Sequence, residues 1–481
     1  MSIRDPESFS PPSSEVLEAF AAITGPEHLL TDAQAMAPHL HEWRDRYTGR
    51  AAAVLRPGSQ EEVSAILRLA SAHDVAIVPQ GGNTGLVGGQ IPFCGGAEVV
   101  LSLSRMNRIL GVDTDNDSMS LEAGVILADA QAAARTAGRM FPLSLAAEGS
   151  CQIGGNLATN AGGVNVIAYG TARAQCLALR AVLASGEVVG SLSGLRKDNT
   201  GYDLRDVFIG SEGTLGIITA ATMRLYPAIT DSATAFVGAE DARAIIELGH
   251  VIRAGAACAR LTAMEMMSHL GLSFAITHMN CRDPLAGASP WYVLIELSGH
   301  GAPGEAMAEM EQVLGKAFEA GLITDAALAQ NESQRAEFWR IREGLSEAQK
   351  HEGGSIKNDI AVPVSRIPDF LERAIPAVLK IVPGARPVPF GHVGDGNLHF
   401  NISQPPDMDK GAFLARWEDV VEAVNEVVLA LGGSISAEHG IGRMKRAWMT
   451  RIKTPAELAA MGAMKAALDP KGILNPGKLL P

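Results

Sequence analysis

The sequence predicts an α+β chain of more than one domain. From residue 53 onward, apolar runs of strand length alternate with amphipathic helical stretches, and after Pro227 the helices lengthen while strands persist. Glycine adds a third signal: 51 of the 481 residues, clustered where a bare backbone can approach a partner closely. At about 150 residues per domain this length fits two to four units. We divide it into a helical lead-in (1–52), a first α+β unit (53–227), a second (228–430) and a C-terminal segment (431–481).

In chain order, Glu15 to Ile23 reads as an amphipathic helix of the lead-in. Val54-Leu55 is a short strand, Ser59 and Glu62 form a capping box, and Glu61 to His73 carries apolar residues at helical spacing. Val75 to Val78 is a buried strand running into Pro79 and a glycine loop. Strands at Val99 to Leu103 and Met119 to Glu122 and a helix at Leu127 to Thr136 follow, then a hairpin from Ala178 to Val189 turning at Ser185-Gly186. Two strands, Gly216 to Thr219 and Thr222 to Tyr226, close the unit. Beyond it, helices at Asp241 to Ala254, Gly304 to Ala320, Gln334 to Gln349 and Pro368 to Val382 alternate with strands at Trp291 to Leu297 and His399 to Ile402.

Composition excludes several classes. With 47% hydrophobic and 19% charged residues the chain buries a large core. Forty basic against 53 acidic residues leave a net charge of −13, so no broad nucleic-acid or anionic-membrane surface is expected. Five cysteines without a CxxC pair suit a reducing compartment. Neither a signal peptide nor a membrane span is apparent, and we expect a cytoplasmic protein.

Three glycine loops carry the first chemistry. Pro79-Gln80-Gly81-Gly82-Asn83-Thr84-Gly85-Leu86-Val87-Gly88-Gly89 follows an apolar strand; Gly149-Ser150 leads to Gly154-Gly155-Asn156 and Thr159-Asn160-Ala161-Gly162-Gly163; Gly210 to Gly216 includes Glu212. Such loops turn peptide N–H groups onto an anion without Lys or Arg. Three in one unit favour a large phosphate-bearing cofactor, and neither GxxxxGK[ST] nor a strand-borne GxGxxG is present.

PQGGNTGLVGG, GGNLATNAGG and GSEGTLGIIT together resemble the FAD-binding domain of the vanillyl-alcohol-oxidase class of flavoproteins, and the terminal NPGKLLP resembles the segment that returns to the flavin there. The resemblance spans nearly the whole chain from about residue 53. It implies that 53–227 binds FAD, that 228–430 is a substrate cap and that 431–481 packs near the flavin. Pro79 and Gly81 to Leu86 would wrap the pyrophosphate. Gly149, Ser150, Gly154, Gly155, Asn156, Thr159, Asn160, Gly162 and Gly163 would pass near the flavin with Glu212 and Gly216, Ile218 would touch the adenine end and Asn475 the isoalloxazine. Members with covalent FAD carry a His in the first loop; Asn83-Thr84 stands there instead, so bound FAD is expected to be non-covalent.

The second chemistry lies in Gly391-His392-Val393-Gly394-Asp395-Gly396-Asn397-Leu398-His399-Phe400-Asn401-Ile402. A turn at Gly394 to Asn397 lets His392 and His399 approach from two strands, and alternation puts His399 and Asn401 on one face. Ser436-Ala437-Glu438-His439-Gly440, read as the end of a short strand, adds a carboxylate and an imidazole. Two His and one carboxylate suit a divalent ion such as Zn, with Mn or Co as alternatives. GHVGDGNLHFN and SAEHGIGR resemble the substrate-domain motifs of the D-2-hydroxyacid dehydrogenase branch of the same class. That implies His392, His399 and Glu438 as metal ligands, His439 as base and Asn401 on the substrate.

Oxidising a 2-hydroxy acid removes a hydroxyl proton and moves hydride from C2 to flavin N5; a bound cation acidifies the alcohol and a neighbouring His takes the proton. Arg342 and Ser346 lie one helical turn apart, and Lys357 follows in Ser355 to Ile360, which reads as a strand leading to Pro363. The set resembles the carboxylate-binding residues of D-2-hydroxyglutarate dehydrogenases, which commonly carry Thr where Ser346 stands. Two cations suit a dicarboxylate, with one carboxylate on the metal and the other on Arg342 and Lys357. The alternatives are D-lactate or glycolate oxidation on the same scaffold, or a non-enzymatic metal- or nucleotide-binding protein. For the electron acceptor, the family resemblance leans toward an electron-transfer flavoprotein, with a quinone or oxygen as alternatives, and a homodimer follows the habit of the class.

Overall fold

The computed structural model describes residues 4–481, and they divide into two compact units. The first takes in residues up to Gly163, Tyr169–Pro227 and Glu438–Pro481; the second takes in Val164–Ala168 and Ala228–Ala437.

In the first unit, a four-stranded sheet runs Leu29–Leu30, Ala53–Leu55, Val99–Ser102, Ile77–Gln80 in space. Its last three strands are parallel, and the Leu29–Leu30 edge falls in a lead-in read as helical. The helix Gln60–His73 buries Val63, Ile66, Leu67 and Ala70 against Leu55, Val99 and Leu101. Ser59 caps it by accepting from Glu62 N, but the Glu62 carboxylate accepts from Gly58 N at 2.8 Å, one residue before the reciprocal partner of a capping box. The strand expected at Val75 to Val78 lies at Ile77–Gln80, because pairing continues from Ile77↔Val99 to Gln80↔Ser102. Pro79 is tolerated there because the strand lies at the edge of the sheet path and a proline cannot serve a central ladder. Beyond that edge, Ile77 N donates to Ile473 O and Asn475 N to Ile77 O, both at 2.8 Å.

A five-stranded antiparallel sheet follows the spatial order Ile109–Asp113, Ser118–Glu122, Ile217–Arg224, Cys176–Val182, Val188–Gly190. The two strands expected between 216 and 226 are one. Register shifts at Ile218/Ala220 and Thr222/Met223 absorb the irregular pattern that looked like a break. Near the C-terminus, the helix Pro455–Leu468 opens on a full capping box between Thr454 and Glu457.

The second unit is built on an eight-stranded sheet. Its order is Asp325–Leu328, Asp231–Ala239, Trp291–Gly299, Arg260–Ser268, Arg386–His392, Asn397–Ser403, Ser355–Ile356, with Asp359–Ala361 also paired to Asn397–Ser403. The helices Ala242–Gly255, Glu305–Glu319, Glu332–Ala348 and Ile367–Ile381 contribute buried faces rich in Ile, Leu, Val and Phe. Two expectations change. The stretch 355–360 is not one strand, because Asn358 turns aside to pair with Phe400 through main chain and side chain. No strand ends at Ser436; Ser434 makes a single bridge to Ala361. Among the described residues no helix is long and apolar enough to cross a membrane.

Candidate active site

In the first unit the glycine loops meet. A Cβ added at Gly82 would lie 1.9 Å from Ser150 O, and one at Gly81 would lie 3.5 Å from Gln152 Oε1 and 3.6 Å from Gly155 Cα. The first loop therefore touches the second backbone to backbone, which only glycine permits at Gly82. The third loop is tied in by Asn475, whose Nδ2 donates to Gly89 O at 3.0 Å and to Glu212 O at 2.9 Å. Ile218 lies in the strand Ile217–Arg224, and Gly216 immediately precedes it.

The unit fits a bound flavin nucleotide by two signs. Asn83 Oδ1, Gln152 Oε1 and Asn475 Oδ1 are buried without a hydrogen-bond partner in the very segments expected to bind it. Cβ atoms built on Gly149 and Gly155 would meet nothing within 4 Å, which leaves open space along the second loop. Glu212, expected to line the cofactor, uses both carboxylate oxygens to accept from Ile441 N and Gly442 N at 2.7 Å each. Its side chain tethers the segment after His439. Burial raises this carboxyl above its usual range, against the opposing pull of those two amides. Glu438 accepts from Gly163 N at 2.6 Å, so it stands against the second glycine loop with half-buried His439 beside it.

In the second unit, His392 ends the strand Arg386–His392 and His399 lies in the next, with Phe390 paired to His399. The two imidazoles sit edge to face, ring centroids 5.6 Å apart. Each lies opposite a carboxylate on a neighbouring strand: His392 pairs with Glu265, and His399 with Asp359. His392 Nδ1 is 2.7 Å from Glu265 Oε1, while His399 Nδ1 is 3.9 Å from Asp359 Oδ1. A carboxylate behind the imidazole is the arrangement that orients metal-binding His, so this donor pair fits a divalent ion.

Arg342 projects from the helix Glu332–Ala348 onto the same Glu265, with Nε and an Nη each 2.7 Å from Oε2, and stacks over the Phe390 ring at 5.0 Å. Burial alone would lift the Glu265 carboxyl, but the His392 imidazole and the Arg342 guanidinium that face it overcome it and hold it down at about 2. Asp395, in the turn after His392, is pushed up to about 6 by burial, against the pull of His392. Ser346 is solvent-exposed one turn beyond buried Arg342, and Lys357 occupies the break between the two short strands. Asn401 commits one amide N–H to Gln349 Oε1 at 2.8 Å.

Glu265, Asp359, Gln349 and Gln152 were missed in the sequence. Glu265 had a signal: one acid inside the apolar run Ala263 to Met267 must be buried, and a buried acid must be paired.

Two family models match: an FAD binding domain over residues 51–191, and the C-terminal domain of FAD linked oxidases over residues 230–479. Similar curated proteins are the mitochondrial D-2-hydroxyglutarate dehydrogenase of Arabidopsis thaliana, 38% identical over 98% of this chain and 83% of its own, and the D-2-hydroxyglutarate dehydrogenase of Xanthomonas citri pv. viticola, 38% identical over 94% of each. Of solved structures, p-cresol methylhydroxylase with substrate bound superposes with a TM-score of 0.75 at 16% identity, covering 98% of both chains. An alkyldihydroxyacetonephosphate synthase reaches 0.73 at 18%, covering 99% of this chain and 88% of its own.

Proposed function

Because the chain belongs to the FAD-linked oxidases, has the vanillyl-alcohol-oxidase fold and is an FAD-dependent D-2-hydroxyacid dehydrogenase, we propose that it oxidises D-2-hydroxyglutarate to 2-oxoglutarate. The observation that carries this choice of acid is the shared carboxylate of the second unit. One side chain, Glu265, holds both an imidazole suited to the hydroxy-acid end and a guanidinium suited to a second carboxylate.

FAD supplies the two-electron acceptor, and a divalent ion supplies the positive charge that makes an alcohol ionisable near neutral pH. His392 and His399 would hold that ion through ring nitrogens, with Glu438 as the third ligand that the family resemblance implies. His439 takes the hydroxyl proton on its imidazole, the side-chain type whose ordinary pKa lies nearest neutrality. Lys357 and Arg342 hold the distal carboxylate and Asn401 the substrate's polar edge. A monocarboxylate would forgo the bonds of a distal carboxylate to these side chains, so D-lactate should be the poorer substrate. By the same resemblance an electron-transfer flavoprotein would be the onward electron acceptor. The names of the curated relatives support this reading, and the five free thiols support a reducing compartment.

The test is a panel of D- and L-2-hydroxy acids with an artificial dye acceptor, run before and after chelation. D-2-hydroxyglutarate should turn over fastest, and the chelator should abolish turnover while the flavin absorbance stays. Preference for D-lactate, or full activity after the metal is removed, overturns the proposal.

A further inference from the structure

We propose that Glu265 is the positioning residue of this site, joining its metal end to its distal-carboxylate end. The inference rests on the reading above. One Glu265 oxygen faces His392 and the other faces Arg342, so a single side chain orients both ends of the substrate site.

The geometry is tightly determined. Glu265 lies in the middle of the strand Arg260–Ser268, directly across from His392, and is 0% exposed. Oε1 faces His392 Nδ1 at 2.7 Å, and Oε2 receives Arg342 at 2.7 Å. Phe390 packs under the guanidinium and against His399, ring centroids 5.2 Å apart. Five side chains on three strands and one helix thus form one block.

Two consequences follow from elementary chemistry. An ionised carboxylate only accepts hydrogen bonds, so Nδ1 of His392 must carry its proton and the lone pair resides on Nε2, the donor a divalent ion requires. Glu265 therefore selects the metal-binding tautomer. Its negative charge also offsets that of Arg342. Arg342 then presents directed N–H donors with little net field, so its contribution to a distal carboxylate depends on how Glu265 aims it.

The experiment uses the flavin-loaded Glu265→Gln enzyme beside the wild type. Metal per flavin is followed against graded chelator, and KM and kcat are taken for D-2-hydroxyglutarate and D-lactate. Glutamine keeps the shape but can offer His392 an N–H instead of an acceptor. Metal affinity should fall about 10- to 100-fold, the usual loss for a group behind a metal ligand. The KM for D-2-hydroxyglutarate should rise more than that for D-lactate, and excess metal should restore most of kcat, which a general folding defect would not allow. Should Glu265→Gln lose its flavin, Glu265→Gln/Arg342→Met removes both charges of the buried pair and carries the metal measurement, with the same fall expected. Unaltered metal affinity in either variant, or an equal rise in both KM values, overturns the inference alone. Wild-type protein that holds flavin but no metal and ignores D-2-hydroxyglutarate overturns the functional reading, and the inference with it.

Discussion

A methyl group added at Gly82 and one added at Gly155 should fail in different ways, and the contrast tests where the cofactor lies. The Cβ of Gly82→Ala would come within 1.9 Å of Ser150 O, where real Cβ atoms keep at least 3.0 Å, a deficit of about 1.1 Å against main chain that cannot rotate away. Overpacking of this kind costs about 1–3 kcal/mol, and contact with backbone puts it at the upper end. The apo-protein should melt roughly 5–10 °C lower, at about 2–4 °C per kcal/mol for a unit of this size. The Cβ of Gly155→Ala meets no protein atom within 4 Å, and Gly155 sits in the helix Ile153–Ala158, where alanine is the better helix former. Apo stability should hold or rise. If that open space is where FAD packs, the same 1–3 kcal/mol falls on cofactor binding, and the FAD Kd should rise about 5- to 150-fold. Differential scanning fluorimetry of the apo-proteins and flavin fluorescence titration read the two quantities separately. A Gly155→Ala protein that binds FAD as tightly as the wild type refutes the placement of the flavin against this loop.

Removing the charge of Lys357 with Lys357→Ala should raise KM for D-2-hydroxyglutarate on the order of 30-fold, worth about 2 kcal/mol of charge-assisted bonding, while D-lactate kinetics barely change. Burial brings Lys478 down to about 8, against the pull of Glu98 at 3.2 Å. Between that value and the ordinary Lys value the unfolded chain holds more protons, so this group's contribution to stability rises with pH by up to about 3 kcal/mol. Urea midpoints at pH 7.5 and 10 should show that gain in the wild type and lose it in Lys478→Met; an equal pH response in both proteins rejects the assignment. Asp359→Asn should weaken metal binding less than Glu265→Gln, because His399 Nδ1 stands 3.9 Å from its carboxylate where His392 Nδ1 stands 2.7 Å from Glu265, and metal retention under chelator ranks the two.

Much of this was readable in the chain because the chemistry sits in short, compositionally odd segments. Glycine loops and a His-rich turn declare themselves locally, and the helix Leu127–Thr136 matches its expected bounds since its spacing is regular throughout. The failures share a cause: each depended on a partner remote in sequence. A bulged strand at 217–224 looks like two strands until its neighbours Ser118–Glu122 and Cys176–Val182 hold it together. Lys357 looked like part of a single strand until Asn358 paired with Phe400. Glu265 finds its partners 127 and 77 residues away, so nothing near it announces what it binds. Arg342 was expected to be a cation awaiting substrate, and the structure gives it a buried counter-charge.

The two units solve recognition by different physics. Four of the nine non-glycine residues with left-handed backbone among the described residues, Asn83, Asn160, Glu212 and Asn475, belong to the segments expected at the flavin. That conformation costs each of them about 1–3 kcal/mol unless the surroundings enforce it. Here the enforcement is visible: Asn83 Nδ2 donates to Pro38 O and His41 O, Asn160 Oδ1 accepts from Arg173 N, Glu212 takes two amides and Asn475 ties two loops. Strain held in this way presents peptide groups to a nucleotide without spending a cation, which suits a chain of net charge −13. The second unit presents side chains from a sheet, where register alone sets His392 against Glu265 and His399 against Asp359. Loops held by side-chain bonds can adjust around a large cofactor. A sheet cannot slip by one residue without turning each of these side chains to the other face, and that rigidity suits the discrimination between one carboxylate and two that we propose.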